Sequence, residues 1–172
     1  MLDLPNIKLA LETFRDNVVR GAKQSLLRQK KLASGRLYKS IQGSPVKVTE
    51  NSLEFNIGME DYGTFQDKGV SGINKRYNTP YTYRDKMPPM SSLDNWIVRR
   101  GIAPRDDKGR FIPRKTLQFL IARSIYQNGI KPSLFFTTPF RRYYKDLPLV
   151  LQEAFALDVD NFIDFINRQN FK

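Results

Sequence analysis

Few residues in this chain have types and spacing suited to chemistry. "DDKG" places Asp106, Asp107 and Lys108 side by side, the carboxylate and lysine grouping with which a metal-dependent nuclease holds a divalent ion. Such a centre needs no histidine, and the chain has neither histidine nor cysteine. Ser-His-Asp and Cys-His nucleophiles, HExxH centres and zinc fingers are therefore excluded. Nuclease carboxylates normally sit on the core strands of a sheet, whereas these lie in a glycine-containing turn between two helical patterns. A solvated turn is the simpler reading. Asp158, Asp160 and Asp164 fall on different sides of a helical pattern whose remaining side is apolar, and they read as its water-facing surface. "KGVSG" has two glycines but no Gly-Lys-Ser/Thr after them, so it is not read as a phosphate cradle. No catalytic, cofactor-binding or metal-ligating residue is expected.

The remaining chemistry is positive charge. The 172 residues carry 29 Lys+Arg against 17 Asp+Glu, a formal charge of +12. An acidic partner, DNA above all, fits that balance. Basic pairs stand at Lys30-Lys31, Lys75-Arg76, Arg99-Arg100 and Arg141-Arg142, with tyrosines between some of them, and phosphate contacts require nothing more. A helix-turn-helix needs a turn of three or four residues, and the gap from Gly101 to Pro113 is too long for one. The N-terminus lacks the basic start and apolar run of a signal peptide, and no stretch has the roughly 18 apolar residues of a membrane span. A soluble intracellular product is expected, with no membrane partner.

The elements that must position these residues follow from periodicity. Ile7, Leu11, Phe14, Val18, Ala22 and Leu26 recur at spacings of three and four, predicting one long amphipathic helix from Asn6 to about Lys31 that stops near Ser34-Gly35. "RLYKSI" reads as a short turn. Val46 and Val48, then Leu53, Phe55, Ile57 and Met59, predict an antiparallel hairpin turning at Glu50-Asn51, its apolar face lying on the long helix. Residues 71–90, rich in proline and tyrosine and without a period, read as a long extended loop. Ser91 or Ser92 caps a helix running to Gly101, residues 103–113 form a polar turn, and a further helix runs from Pro113 to Gly129. A buried apolar segment at 130–144 turns into a basic, aromatic helix start, and residues from about Leu147 to Asn170 are again at helical spacing. With no internal repeat or linker, the expected architecture is a single α+β domain over residues 1–172: a long N-terminal helix packed on a small antiparallel sheet, with additional helices in the C-terminal half.

Within "DYGTFQDKGVSG" (61–72), Tyr62 and Phe65 share one side of a single helical turn, and Gly69 can adopt the left-handed conformation that ends it. The stretch reads as a structural corner that plugs both aromatics into the core and launches the loop. Phe14, Val18, Phe55, Ile57, Tyr62, Phe65 and Leu120 form the expected core.

Three stretches in this order, "SGRLYKSI" (34–41), "YGTFQDKGVSG" (62–72) and "KPSLFFTTPF" (131–140), resemble the tail-completion and head–tail joining (neck) proteins of long-tailed double-stranded DNA phages, the superfamily that includes the lambdoid minor tail protein Z. The resemblance covers about residues 7–165. The chain departs from it in the long stretch 73–113 and in Pro-Ser-Leu-Phe-Phe standing where the family has Pro-Phe-Leu. The resemblance implies a non-enzymatic virion protein without cofactors, forming a homo-oligomeric ring at the head–tail junction through which the genome passes. Its partners would be other copies of itself, the adjoining portal, neck and tail proteins, and packaged DNA bound nonspecifically. In such a ring the 71–90 segment is the expected contact arm, through Tyr77, Tyr81, Tyr83, Arg76 and Arg84, disordered in the free monomer. Lys30, Lys31, Lys75, Arg99, Arg100, Arg141 and Arg142 are the expected DNA-channel contacts. The other reading of the same charge is a soluble nonspecific DNA-binding protein.

Overall fold

In the computed structural model, which describes residues 4–32, 34–49 and 52–170, ten elements follow one another. Helix α1 (Pro5–Arg28) is followed by the short α2 (Arg36–Ser40) and by strands β1 (Gln42–Gly43), β2 (Lys47–Val48), β3 (Leu53–Glu54) and β4 (Ile57–Gly58). Helices α3 (Tyr62–Lys68), α4 (Ser91–Arg99), α5 (Arg114–Asn128) and α6 (Thr137–Asn170) complete the chain. The fold is α+β, a long N-terminal helix on a small antiparallel sheet with helices after it. The chain divides into two compact units interleaved in sequence: residues 1–25, 40–59 and 135–172 form one, and residues 26–39 and 60–134 the other. No composition shift marks these boundaries.

In the first unit, α1 lies on the hairpin and on α6. Phe14 packs edge-on to Phe55 at 6.1 Å and to Phe140 at 5.8 Å. Arg15 passes over Gly43, where any Cβ would meet the arginine stem, and donates from Nη1 to the Ser44 carbonyl at 2.8 Å. Phe136, in the turn just before α6, stacks on Phe140 at 6.0 Å, and Phe140 on Tyr144 at 5.5 Å. The hairpin is longer than its sequence pattern suggests and is broken in the middle. β2 pairs with β3 (Lys47 with Glu54) and β1 with β4 (Gln42 with Gly58), so the register slips by one residue where Pro45 and Val46 face Phe55. Pro45 has no N–H for the ladder, and Ser44 offers its Oγ to the Asn56 N–H at 2.9 Å instead, which makes this a bulge. The bulge turns Val46 inward and leaves Val48 exposed, against the simple alternation. The expected turn at Glu50-Asn51 lies outside the described residues.

Both ends of α1 differ from expectation. At its start Pro5 has no N–H, and Lys8 donates back to the Leu4 carbonyl. The remaining donors of the first turn go to Asp158 on α6: its Oδ1 accepts the Asn6 N–H at 3.0 Å and the Asn6 amide at 2.6 Å, and its Oδ2 accepts the Ile7 N–H at 3.0 Å. Asp158 is 1% exposed, so it is the helix cap and not the water-facing acid expected. The helix ends at Arg28, before Ser34-Gly35. Lys30 is left-handed at φ 52°, its N–H on Leu27 O at 3.0 Å and the Lys31 N–H on Leu26 O at 3.1 Å. That bond pair is a Schellman stop with lysine where glycine is usual. "RLYKS" is a helical turn in its own right, burying Leu37.

In the second unit, α4 and α5 pack together around Ile97, Leu117 and Ala122. The buried stripe of α5 passes through Leu117 and Ala122, which puts Leu120 on the far side, exposed instead of in the core. Helix α4 starts without a serine cap: its N-cap is Met90, and Ser92 Oγ donates to the Pro89 carbonyl. Residues 104–112 form a small hairpin, with Arg105 bridged to Phe111. Of the expected core, Phe14 and Val18 are buried, while Phe55 and Ile57 are half-buried. Leu26, Ile41 and Phe135, all fully buried, were absent from that list. No helix among the described residues is long and apolar enough to cross a membrane.

Candidate functional site

The 61–72 stretch folds as α3, two turns long and not one. Its buried side is Gly63 and Asp67, one turn apart, so Tyr62 and Phe65 fall on the other side, 44% and 42% exposed. They do not plug the core. Gly69 does end the helix as expected, at φ 76°, with its N–H on Phe65 O. A Cβ there would lie 2.5 Å from the Ile130 carbonyl, because Val70 pairs antiparallel with Ile130 directly afterwards. The two glycines of "GVSG" are therefore where one backbone crosses another, with no room for a phosphate.

From this crossing the 71–90 segment leaves as an extended loop, tied to one residue. Ser71 is 3% exposed and sits at the centre. Its N–H donates to Tyr81 O and its carbonyl accepts from Tyr83 N, while its Oγ accepts the Tyr77 N–H at 3.0 Å and donates to Tyr77 O at 3.2 Å. Thr79 Oγ1 donates to Gly69 O, and Ile73 and Asn74 donate to the end of α5 at Tyr126 O and Gln127 O. These bonds tie the segment to its own chain at Ser71, Gly69 and the end of α5.

The outer edge of the loop and the exposed side of α3 enclose a groove of ≈ 700 Å³, lined among others by Tyr62, Phe65, Tyr81, Tyr83, Pro88 and Arg84. Phe65 stands edge-on to Tyr81 at 4.7 Å. Tyr83 meets the Tyr126 ring at 6.3 Å, and the Tyr126 hydroxyl donates to Arg84 O at 2.6 Å. Burial raises the Tyr83 phenol above its ordinary pKa. Tyrosine and proline rings give the groove flat apolar walls with polar tips, a lining suited to aromatic or branched side chains. Three of the five expected arm contacts, Tyr81, Tyr83 and Arg84, converge here together with both corner aromatics. Arg76 and Tyr77 lie apart from it: Arg76 donates to Thr82 Oγ1, and Tyr77 is held at Ser71 under Lys75, whose Nζ is 5.7 Å from the ring.

The seven expected DNA contacts divide between the two units. Lys30, Lys31, Lys75, Arg99 and Arg100 belong to the second unit, and Arg141 and Arg142 to the first. At the end of α1, Arg100 Nη2 donates to the Lys30 carbonyl at 2.8 Å. Burial and, after it, the nearby Lys131 ammonium lower the pKa of Lys31. Arg99, Arg141 and Arg142 are exposed, with Arg142 5.8 Å from the Tyr143 ring.

"DDKG" is a turn, as expected, and Asp106 is its fastener. Oδ1 accepts the Lys108 and Arg110 N–H groups, and Oδ2 accepts Arg110 Nε at 3.0 Å. The Arg110 N–H above all, with its guanidinium and the Lys108 N–H, holds this carboxyl below its ordinary range. Among the described residues no group of three or more acidic side chains is placed to hold a metal ion.

The sequence reading gave no weight to α6 as a surface. The helix is continuous for 34 residues through Pro148. In its last part Phe155, Phe162, Ile163 and Ile166 are all exposed. The signal was present as an apolar stripe at helical spacing; what it lacked was any partner element left over to cover it.

Compared with known proteins, the chain matches no family model, no curated protein and no solved structure.

Proposed function

We propose that this chain is a structural virion protein of a tailed double-stranded DNA phage, forming a ring at the head–tail junction that joins head to tail around the DNA channel. The observation that carries the reading is the amount of apolar surface a lone chain leaves open: the aromatic groove of the second unit and the Phe-Ile stripe of α6. Contiguous apolar patches of this kind mark surfaces that another protein covers. The ordered resemblance of residues 34–41, 62–72 and 131–140 to tail-completion proteins supplies the place of action, and the charge of +12 suits a part that stands beside DNA. No step of catalysis is assigned to it. Electron microscopy of the purified protein, and of particles made without it, tests the reading. Rings in the first and unjoined heads and tails in the second are expected; a dispersed monomer and normal joined particles would refute it.

One observation favours a second reading, a soluble nonspecific DNA-binding protein: Lys30, Lys31, Arg100 and Lys131 gather at the end of α1. A polyanion there would relieve the repulsion that Lys131 exerts on Lys31. Under this reading the monomer retards DNA of any sequence, with an affinity that falls steeply with salt, and forms no rings.

A further inference from the structure

Helix α6 outruns the helix it packs on. The two are antiparallel, since Phe14 of α1 meets Phe140 and the first turn of α1 meets Asp158. Past that point α6 continues to Asn170, and every residue from Asp160 to Gln169 is exposed, a stretch about 15 Å long. A lone helix of this length is marginal in water. Its side chains are nevertheless sorted by face. At about 100° per residue, Phe155, Val159, Phe162 and Ile166 fall within about 60° of one another, Ile163 and Phe165 flank them on either side, and Glu153, Asp160 and Asp164 lie on the opposite face. Steps of four, three and four residues are those of a coiled-coil seam, here with the carboxylates at positions that face water.

Read backwards, the seam is its own complement. Turning a copy about an axis level with residues 160 and 161 sets Phe155 against Ile166 and Val159 against Phe162, and the symmetry makes each pairing twice. Phe155, Phe162, Ile163, Phe165 and Ile166 are each 39–59% exposed, which at about 200 Å² for a large apolar side chain leaves about 450 Å² open on each copy. Covering both copies, with the rim around them, removes about 1,000 Å², the area at which an interface becomes specific. Direction follows from charge. Each chain carries +12, and an antiparallel seam sets the two basic bodies at opposite ends where a parallel one would bring them together.

We infer that the end of α6 is a dimer seam, in which residues 155–166 pair antiparallel with the same residues of a second copy about a two-fold axis. The contact uses one surface on both copies and closes on itself. It does not rest on the ring reading, whose contacts fall to other surfaces.

The chain has no cysteine, so single cysteines report the register. Phe155→Cys mixed with Ile166→Cys should give a disulfide-linked dimer under glutathione disulfide, and neither variant should do so alone. Dimers cross-linked by either variant alone would show parallel helices and overturn the inference. Phe162→Ala with Ile166→Ala should raise the dissociation constant tenfold or more in sedimentation velocity. Alanine is the best helix former and both side chains are exposed, so the change removes apolar area and leaves the fold and its melting temperature. An assembly, ring or dimer, that is unchanged by both alanines would overturn the inference alone. A wild-type chain that stays monomeric at every concentration reached would overturn it together with the ring reading, and would leave the stripe to a different protein.

Discussion

Removing the Asp158 carboxylate should uncap α1 from a distance of 152 residues. Asp158→Ala strands the Asn6 and Ile7 N–H groups, both part-buried, and frees the Asn6 side chain. Loss of a capping side chain costs about 0.5–2 kcal/mol. The lost negative charge at a helix N-terminus adds about 0.3–1 kcal/mol. Leaving a second donor unmet adds about 1 kcal/mol, the low end of the range because these groups are only part-buried. The expected total is about 2–4 kcal/mol, read as a lower urea midpoint with an unchanged slope. Asp158→Asn keeps one acceptor oxygen in nearly the same shape but gives up the charge, and should cost about 1–2 kcal/mol. Hydrogen exchange adds a local readout, since the Ile7 amide should lose protection in both variants before the middle of α1 does. An alanine variant within about 0.5 kcal/mol of wild type, the range of an ordinary surface change, would refute the capping account.

Lys30→Gly should stabilise the chain by up to about 1 kcal/mol, since glycine adopts the left-handed stop of α1 without the Cβ penalty; an equal or lower melting temperature would count against the Schellman assignment. Ser71→Ala removes the hydroxyl that both accepts from and donates to Tyr77 and should cost about 1–3 kcal/mol, with amide protection lost over residues 72–82 first; unchanged protection there would show that the loop is held elsewhere. The Asp106 carboxyl has a depressed pKa in the folded chain, so its contribution is present above the unfolded value near pH 4 and is lost as pH falls through the lower folded value. Carboxyl-carbon titration by NMR should therefore give a midpoint below about pH 3.9, and Asp106→Asn should loosen the 104–112 turn even at neutral pH. A midpoint at or above that value would remove the fastener role.

Periodicity made the helices legible, because Phe14, Val18, Ala22 and Leu26 repeat on one face and Gly129 stops α5 with its own positive φ. Register within short elements was not legible. In α3 the buried pair is Gly63 and Asp67, neither of which is marked by hydrophobicity, so Tyr62 and Phe65 were assigned inward and point outward. The bulge at Pro45 reverses the expected facing of Val48, and the sequence shows it only as one proline. Long-range polar pairing was least visible: Asp158 resembles Asp160 and Asp164 in every local respect, and only the approach of α1 separates its role from theirs. For the site, the tyrosines and arginines of 71–90 could be singled out by type, but their order could not. That order depends on Ser71, a small residue whose importance is four hydrogen bonds deep in a crossing of two backbones.

The Asp158 cap also sets a schedule for making the protein. At about 5–20 residues per second on the ribosome, residue 158 is joined roughly 8–30 s after Asn6, and throughout that interval α1 has no cap for its first turn. Residues 60–134, by contrast, form a continuous stretch that includes both α4 and α5 and can fold as soon as it emerges. The second unit can thus mature while the first still waits for its closing helix. The Phe-Ile stripe on that same helix is then the last surface to become available. A chain built this way caps its first helix and finishes its last one in a single late event.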